Sequence, residues 1–311
     1  MTAVPPLTNS SAISAETNHT NRGVAFGIGA YVLWGIVPAY WPLLAPAGAV
    51  EILAHRIAWS LVVMVLLTAV LGRWAGLRGL SLKGWLMVAA ASVLIAVNWG
   101  VYIYSVNAGH VVEAALGYFI NPLVSVLLGV VVLRERLRRA QFAAILIALV
   151  AVVVLAVDYG QPPWISLVLA CSFGLYGLLK KTVPLDATAS LTAESVVLAP
   201  IAVGYLVWLG PAGTFTDHGV GHALILVSAG LVTAIPLVLF GAGARLIPLI
   251  TMGMLQYIAP ILQFSWGVFV MHEPMPPSRW FGFALVWLAL VVFTVDALRI
   301  RRRPRLLAPV E

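Results

Sequence analysis

The sequence has little charge and almost no cysteine. Charged residues make up 9% of the 311 residues, hydrophobic residues make up 62%, and there is one cysteine, Cys171. A soluble domain carries roughly a quarter charged residues and about half apolar ones, so the composition excludes an ordinary soluble enzyme or regulatory domain. A single cysteine excludes an intramolecular disulfide. Because Cys171 lies in an apolar stretch, we interpret it as a packing residue.

Several chemical motifs are also missing. No glycine loop followed by Lys-Ser or Lys-Thr is present to bind nucleotide phosphates, and there is no GxSxG nucleophile elbow. The six histidines are scattered, without an HExxH pattern or a Cys/His cluster. We therefore expect no cofactor, no metal site and no direct use of ATP. The formal charge of +7 arises from basic residues at helix ends, which orient a membrane protein, so we expect no nucleic-acid partner.

Long apolar runs fill the rest of the chain. Runs of about 20 apolar residues recur from Gly23 almost to the C-terminus, and each can cross roughly 30 Å of hydrocarbon as a helix. They lack the alternation of a membrane β-barrel, so we predict an all-α polytopic membrane protein. The predicted spans are ten, at residues 23–44, 49–71, 84–106, 111–133, 140–158, 162–181, 190–210, 220–243, 247–271 and 278–299.

The distribution of lysine and arginine predicts the orientation. Sixteen of the 18 basic residues fall on one side of the membrane, Arg279 falls on the other side, and Arg56 lies inside a span. Basic residues are enriched in cytoplasmic loops, so both termini are predicted to face the cytoplasm of a bacterial-type inner membrane. The lipid bilayer is thus an expected partner, whereas the sequence leaves the oligomeric state open.

The two halves of the sequence resemble each other. A shift of 138 residues aligns Phe119 with Tyr257, Pro122 with Pro260, Gly129 with Gly267 and Glu135 with Glu273. Each half holds five predicted spans, an odd number, so the second half must be inverted relative to the first. Inverted repeats are typical of secondary transporters, which bind their substrate near the membrane midplane. We predict a disordered tail (1–21), a first repeat (22–158), a second, inverted repeat (159–300) and a basic cytoplasmic tail (301–311).

Four stretches resemble a known family. They are residues 51–60 (EILAHRIAWS), residues 30–35 (AYVLWG) with Pro38 and Tyr40 following, residues 117–122 (GYFINP) and residues 172–181 (SFGLYGLLKK). Together with the two five-span repeats, they are similar to the RarD family of the drug/metabolite transporter superfamily, whose members carry paired EamA domains. The resemblance covers roughly residues 22–300. It implies a permease or exporter of small organic solutes, in a family described by chloramphenicol sensitivity.

Polar residues inside apolar spans are the candidates for a substrate site, because ionisable and polar groups are costly there unless they are paired or wetted. Stripes of polar residues in the third, fourth and ninth spans predict a central cavity, and Pro122 is expected to interrupt the fourth span. Helix–helix hydrogen bonds would explain each stripe equally well. The predicted substrate-binding residues are Trp34, Arg56, Asn98, Tyr102, Tyr118, Asn121, Tyr176, Gln256 and Tyr257.

Four further ionisable residues are candidates for gates or for proton coupling: Glu51, His55, Glu113 and Glu194. Glu51 and His55 are four residues apart and share one helical face. Their structural alternatives are an internal ion pair, which Arg56 would join, and carboxylates that cap helix N-termini. The sequence therefore predicts a secondary transporter that moves a small organic solute by alternating access. A membrane-embedded enzyme with His55 as base and Glu51 as its orienter, or a non-transporting scaffold, remain the alternatives.

Overall fold

The protein is helical throughout the part that the structure describes. In a computed structural model, the described residues are 10–134, 137–180 and 183–302, and none of them forms a strand. The helices are α1 (Ser10–Ile36), α2 (Ala49–Val70), α3 (Trp74–Arg78), α4 (Leu82–Asn107), α5 (Val111–Leu133), α6 (Arg139–Tyr159), α7 (Trp164–Lys180), α8 (Ala187–Leu209), α9 (Thr214–Asp217), α10 (Gly219–Leu246), α11 (Leu249–Leu255), α12 (Ile258–Phe269) and α13 (Pro277–Arg302).

The helices confirm an all-α polytopic membrane protein. Among the described residues, eight helices are long and apolar enough to cross a membrane: α1, α2, α4, α5, α6, α8, α10 and α13. The predicted sixth span is α7, an apolar helix of 17 residues, which rises about 26 Å. The predicted ninth span is divided between α11 and α12. Ten apolar segments are therefore present in the predicted order.

Pro122 and Pro260, which the repeat aligns, have different effects on their helices. The predicted ninth span is not continuous, because α11 ends at Leu255 and α12 begins at Ile258. The ring of Pro260 clashes with the carbonyl four residues earlier, on Gln256, which is where the helix is interrupted. In contrast, α5 runs through Pro122, so the predicted interruption there is wrong. Helix α5 is packed against α6, α7 and α12 along its length on either side of this proline.

Both ends of α1 differ from the bounds predicted for the first span. Helix α1 begins at Ser10 and therefore extends into the segment 1–21 that is predicted as a tail. No glycine or proline interrupts residues 10–22, and a formed helix extends at little cost. Helix α1 also ends at Ile36, and the rest of the predicted first span forms two 3₁₀ turns, Val37–Ala39 and Trp41–Leu44, each with a proline in its first turn. Residues 1–9 and 303–311 of the predicted tails lie outside the described residues, as does Glu135 of the predicted repeat.

Corresponding spans of the two halves pack antiparallel. Arg138, just before α6, forms an ion pair of 2.7 Å with Asp296 near the end of α13. Arg279, in the first turn of α13, forms an ion pair of 2.8 Å with Asp158 near the end of α6. Helices α2 and α8 also pack against each other, and Thr68 at the end of α2 contacts Thr192 near the start of α8, with 2.6 Å between their hydroxyl oxygens. Antiparallel pairing of these spans is what an inverted repeat requires.

Two hydrophobic cores position the candidate site. One core joins α5, α6, α7, α12 and α13 and contains Phe119 and Phe283. The other joins the 3₁₀ turns to α2, α4, α5, α7 and α10, and contains Trp41 and Tyr102. Helices α5 and α7 contribute to both cores. The second core encloses the ionisable residue that the sequence places inside a span, Arg56.

Candidate functional site

Arg56 is buried between aromatic rings in the second core. It lies in α2 and is 7% exposed. Its guanidinium carbon lies 4.0 Å from the ring centroid of Trp99 in α4 and 5.1 Å from that of Trp41 in the 3₁₀ turn. A desolvated cation–π contact is worth about 2 kcal/mol, so these two rings hold the side chain in place.

Three tyrosines complete these surroundings. Tyr40, Tyr102 and Tyr118 lie close enough to Arg56 to interact with its charge, and the rings of Tyr102 and Tyr118 are 5.6 Å apart in an edge-to-face arrangement. The Tyr40 hydroxyl donates to the Ile225 carbonyl at 2.7 Å. We call the six residues the arginine box: Tyr40, Trp41, Arg56, Trp99, Tyr102 and Tyr118.

The guanidinium has no acidic partner in the described part of the chain. None of the four ion pairs found there includes Arg56, and its Nε atom is buried without a hydrogen bond. Burying an uncompensated ion costs several kcal/mol, more than the two cation–π contacts return. The ion pair that would give Arg56 a structural role is therefore not found among these residues.

Two asparagines predicted to bind substrate tie helices together beside the box. Asn98 accepts a hydrogen bond from the Tyr118 hydroxyl at 3.0 Å and donates to the Leu169 carbonyl at 3.0 Å. It also donates to the Ser172 hydroxyl at 3.1 Å. Asn121 donates to the Ala170 carbonyl at 3.1 Å. These bonds attach α4 and α5 to α7, so both amides support the position of Tyr118.

A second buried polar group lies at the end of α7. Lys180 pairs with Glu194 of α8 at 2.7 Å, and the Glu194 side chain also accepts hydrogen bonds from Tyr176 and Ser190, each at 3.0 Å. We call these four residues the lysine cluster. The Phe173 ring links it to the arginine box, because its centroid is 6.0 Å from that of Tyr176 and 6.2 Å from that of Tyr118.

Glu51 and His55 do not form the pair that their spacing predicts. Glu51 accepts hydrogen bonds from the Thr214 backbone N–H at 2.6 Å and from the Thr214 hydroxyl at 3.0 Å. His55 stacks on Phe215 with 5.0 Å between ring centroids, and neither of its ring nitrogens has a partner. Both side chains line a cleft of about 330 Å³ between α2, α8 and residues 210–216. Glu51 thus fastens the segment that follows α8.

Two other glutamates accept hydrogen bonds from the N-termini of helices. Glu113 accepts a bond of 3.0 Å from the Ile165 backbone N–H in the first turn of α7. Glu273, which lies outside the spans, accepts bonds of 2.6 Å and 3.0 Å from the backbone N–H groups of Val111 and Val112 at the start of α5. Burial raises the pKa of Glu273, and these two N–H donors oppose the rise. For Glu113, this contact fits the structural alternative to a gate, which is a carboxylate that caps a helix N-terminus.

Three predicted residues lie away from the arginine box. Trp34 packs with Tyr31 and Phe240 in a separate cluster. Gln256 lies at the interruption between α11 and α12. Tyr257 lines an open, mainly apolar cleft of about 570 Å³ between α5, α12 and α13. The structure therefore gathers Arg56, Asn98, Tyr102, Tyr118, Tyr176 and Glu194 into one connected group, and it separates these three from that group.

Trp41 and Trp99, which hold Arg56, are not among the predicted substrate-binding residues. Trp41 belongs to a 3₁₀ turn, whereas the sequence predicts a continuous first span there. The direction of its side chain therefore does not follow from helical periodicity. Trp99 is adjacent to Asn98 in the predicted polar stripe, but it points towards α2. Their signal in the sequence is that each is an aromatic residue in an apolar stretch that neighbours the span of Arg56, the arginine predicted to lie inside a span.

Comparisons with known proteins agree on one family. A model described as the EamA-like transporter family matches residues 21–157, nearly the range predicted for the first repeat. Protein RarD of Streptomyces exfoliatus is 59% identical over 293 residues, which cover 93% of each chain. The Bacillus subtilis protein named uncharacterized transporter YojE is 45% identical, covering 91% of this chain and 97% of its own. Protein RarD of Escherichia coli is 38% identical, covering 93% and 99%.

A solved structure shares the fold. The crystal structure of a protein with 18% sequence identity superposes with a TM-score of 0.60, covering 89% of this chain and 98% of that chain. At this identity the likeness shows the fold alone. The solved structure therefore carries no information about the role of the arginine box.

Proposed function

This chain belongs to the RarD family of the drug/metabolite transporter superfamily, and we propose that it is a secondary transporter for a small organic solute. The proposed location is the inner membrane of a bacterial-type cell, with both termini in the cytoplasm, as the distribution of basic residues predicts. The observation that supports solute binding most directly is Arg56, which is buried, charged and without a partner among the described residues.

The proposed solute site is the arginine box. Charged residues inside membrane spans mark substrate pathways unless another residue compensates them. Arg56 has no such compensation, whereas Lys180 has Glu194. Asn98 and Asn121 contribute by holding α4 and α5 in register with α7. We propose that Gln256 and Tyr257 contact the solute only in a conformation in which α11 and α12 approach the box, and that Trp34 does so only where α1 approaches it.

The proposed mechanism is alternating access between two five-helix halves. The ring of Phe173 connects the arginine box to the lysine cluster, so a solute leaving Arg56 would pass Tyr176 next. We propose that the Lys180–Glu194 pair is a gate at the cytoplasmic end, and that Glu51 and His55 belong to a gate at the opposite end. Proton coupling through Glu51, His55 or Glu194 is a further part of the proposal, for which histidine is suited by its ordinary pKa near 6.5.

The enzyme alternative gains no support from the geometry. A general base needs an orienting partner within hydrogen-bond distance, and His55 stacks on Phe215 while Glu51 is bonded to Thr214. The names of the relatives also describe transporters. We therefore propose transport and not catalysis as the function.

Metabolite profiling of the medium tests the transport function. Cells that express the intact chain, an Arg56→Ala variant or an empty vector are compared for solutes that accumulate in, or disappear from, the medium. We expect at least one solute to change with the intact chain and to return to the vector level with Arg56→Ala. An Arg245→Ala variant, which changes an exposed arginine at the end of α10, is the matched control and should behave as the intact chain.

The outcomes separate the site from the function. If the solute changes equally with both arginine variants at equal membrane abundance, the transport function stands and Arg56 is not in the site. If no solute differs from the vector in cells, and none enters proteoliposomes that contain the purified chain, the transport function is wrong.

A further inference from the structure

We infer that the arginine box binds a small organic monoanion, whose carboxylate is held by the guanidinium of Arg56. The inference rests on the proposed transport function, because it takes the box to be the solute site. It specifies what that function leaves open, which is the charge of the solute and the group by which it is recognised. Four features of the box support it.

The first feature is the way the guanidinium is enclosed. Its carbon lies over the rings of Trp99 and Trp41, at 4.0 Å and 5.1 Å from their centroids. Indole faces accept a cation but offer no oxygen to its N–H groups, so the hydrogen-bonding capacity of the guanidinium is left over. A guanidinium has five N–H donors in a fork that matches the two oxygens of a carboxylate. The two rings thus hold the guanidinium in place, while its Nε–H group is left without a hydrogen-bond acceptor.

The second feature is the kind of polar atom that lacks a partner nearby. Nε of Arg56 and Nε1 of Trp41 can only donate hydrogen bonds, and both are buried without a partner. The Trp266 ring packs against the same core, and its Nε1 is also buried and unpartnered. The hydroxyls of Tyr102 and of Ser60, one turn after Arg56, are in the same state. A set dominated by donors calls for an acceptor, which a carboxylate supplies and an ammonium group does not.

The third feature is the charge balance. The positive charge of Arg56 is surrounded by Tyr40, Tyr102 and Tyr118, which are neutral at physiological pH. Lys180, the other basic residue inside the connected group, is already paired with Glu194 at 2.7 Å. One bound negative charge would therefore neutralise the box. A cation would add to the uncompensated charge, and a dianion would leave a negative charge buried.

The fourth feature is the wall of the box. The Tyr40 and Trp41 rings are 5.1 Å apart, and the Tyr102 and Tyr118 rings are 5.6 Å apart. The rings of each pair touch edge to face and so present an aromatic surface beside the guanidinium, which favours an apolar or flat body attached to the carboxylate. Chloride or another inorganic anion would satisfy the charge but leave this surface without a partner. The structure thus favours an amphipathic organic acid over a simple ion.

Three probes of nearly equal size test the inference: benzoate, benzamide and benzylamine, which carry a charge of −1, 0 and +1. Their binding to the purified full chain is measured by isothermal titration calorimetry and by fluorescence of the tryptophans that flank Arg56. We expect benzoate to bind at least tenfold more tightly than benzamide, and benzylamine to bind weakest. Chloride at equal concentration should neither bind as tightly as benzoate nor displace it.

Two variants and one control make the result specific to Arg56. Arg56→Gln should bind benzoate and benzamide about equally, because the charge is lost. Arg56→Lys should still prefer benzoate but bind it at least tenfold more weakly, because the fork of donors is lost. Arg245→Gln, at an exposed position, should bind as the unmodified chain does, and thermal unfolding checks that each variant is folded.

The inference is overturned if the unmodified chain binds benzamide as tightly as benzoate, if chloride alone accounts for the binding, or if Arg56→Gln keeps the preference for benzoate. Its failure is distinct from failure of the transport function. A neutral or cationic solute found by metabolite profiling would end the inference and leave transport intact. Benzoate binding with no solute moved in cells or proteoliposomes would leave the anion site intact and end transport.

Discussion

Arg56, which is buried, and Arg279, which is partly buried, lie in opposite surroundings. Arg279 pairs with Asp158 at 2.8 Å, donates to the Pro274 carbonyl at 2.6 Å and lies over the ring of Tyr159. Arg56 lies over two rings, forms none of the ion pairs found among the described residues, and has a buried Nε without an acceptor. Burial is therefore compensated for one residue and not for the other. A residue kept for structure should resemble Arg279, whereas strain retained at one position is a mark of function.

We expect Arg56→Met to stabilise the folded protein while it abolishes benzoate binding. Methionine fills a similar volume and removes a buried ion whose desolvation costs several kcal/mol, against the loss of two cation–π contacts worth up to about 2 kcal/mol each. The free energy of unfolding should therefore rise by about 1–3 kcal/mol, the range for an unsatisfied buried group. Thermal unfolding in detergent, followed by tryptophan fluorescence, measures the change.

Arg279→Met is the matched control, with the opposite expected sign. It removes one partner of a partly buried ion pair and leaves Asp158 with only the Ser278 hydroxyl. The free energy of unfolding should therefore fall, by less than the roughly 3–5 kcal/mol that breaking a fully buried pair costs. If Arg56→Met lowers the unfolding temperature as Arg279→Met does, Arg56 has a structural role and the box is not a binding site.

Part of the arginine box could be predicted from the sequence because it obeys a rule for single residues. An ionisable group in an apolar span has few reasons to be there, and this rule identifies Arg56. The spacing of Asn98 and Tyr102 within one helix was equally readable. Trp41 was not predictable, because its position depends on the path of two 3₁₀ turns that follow α1. Contacts between separate elements cannot be derived from periodicity along one of them.

At the scale of helices, two carboxylates bind the first turns of α5 and α7 and so help to fix the positions of these helices. Glu113 reaches from α5 to the first turn of α7, and Glu273 reaches from the segment before α13 to the first turn of α5. Each satisfies backbone N–H groups that have no partner within their own helix. A carboxylate at this end also interacts favourably with the helix dipole. One residue of each connection thereby orients a helix that is distant in sequence.

We expect Glu113→Ala to destabilise the protein by about 1–2 kcal/mol, the usual cost of removing an N-terminal cap. Glu113→Gln should lose less, because its side-chain oxygen can still accept the hydrogen bond from the Ile165 N–H. Thermal unfolding measures both, and benzoate binding should be unchanged in each. A Glu113→Gln variant that is fully stable but no longer moves the solute found by metabolite profiling would instead make Glu113 a gate or a proton carrier.

The helices themselves were largely predictable, and the exceptions have local causes. Apolar runs of about 20 residues give α2, α4, α5 and α10 nearly as expected, because length and hydrophobicity suffice for a span. Proline gives no such certainty. Pro260 coincides with an interruption at Gln256, while Pro122 stays inside α5. The outcome depends on which neighbours support the freed backbone groups, and those neighbours belong to other parts of the chain.

At the scale of the whole molecule, the antiparallel pairs α6–α13 and α2–α8 differ in how they are fastened. The first pair carries an ion pair near each end, Arg138–Asp296 and Arg279–Asp158. The second pair carries Arg56 on one of its helices and is joined near one end, where the Thr192 hydroxyl contacts Thr68 and donates to the Met64 carbonyl. At the same end Arg73, after α2, forms a longer and more exposed ion pair of 3.7 Å with Asp186, before α8. No ion pair joins the other end of this pair among the described residues. If the two halves move against each other, the α6–α13 pair is suited to act as the fixed part. The α2–α8 pair is then the part that opens.

A disulfide across the α2–α8 pair tests this division. In a Cys171→Ser background, Thr68→Cys and Thr192→Cys place two thiols where hydroxyl oxygens are now 2.6 Å apart, close to the disulfide length of about 2.05 Å. Because the crosslink would hold this end of the pair closed while Arg56 is several turns away on α2, the oxidised protein should still bind benzoate but no longer move the solute found by profiling. Reduction should restore movement, and neither single-cysteine variant should respond to the oxidant. Undiminished movement by the fully crosslinked protein would contradict opening at this end, and alternating access would then have to proceed through other helices.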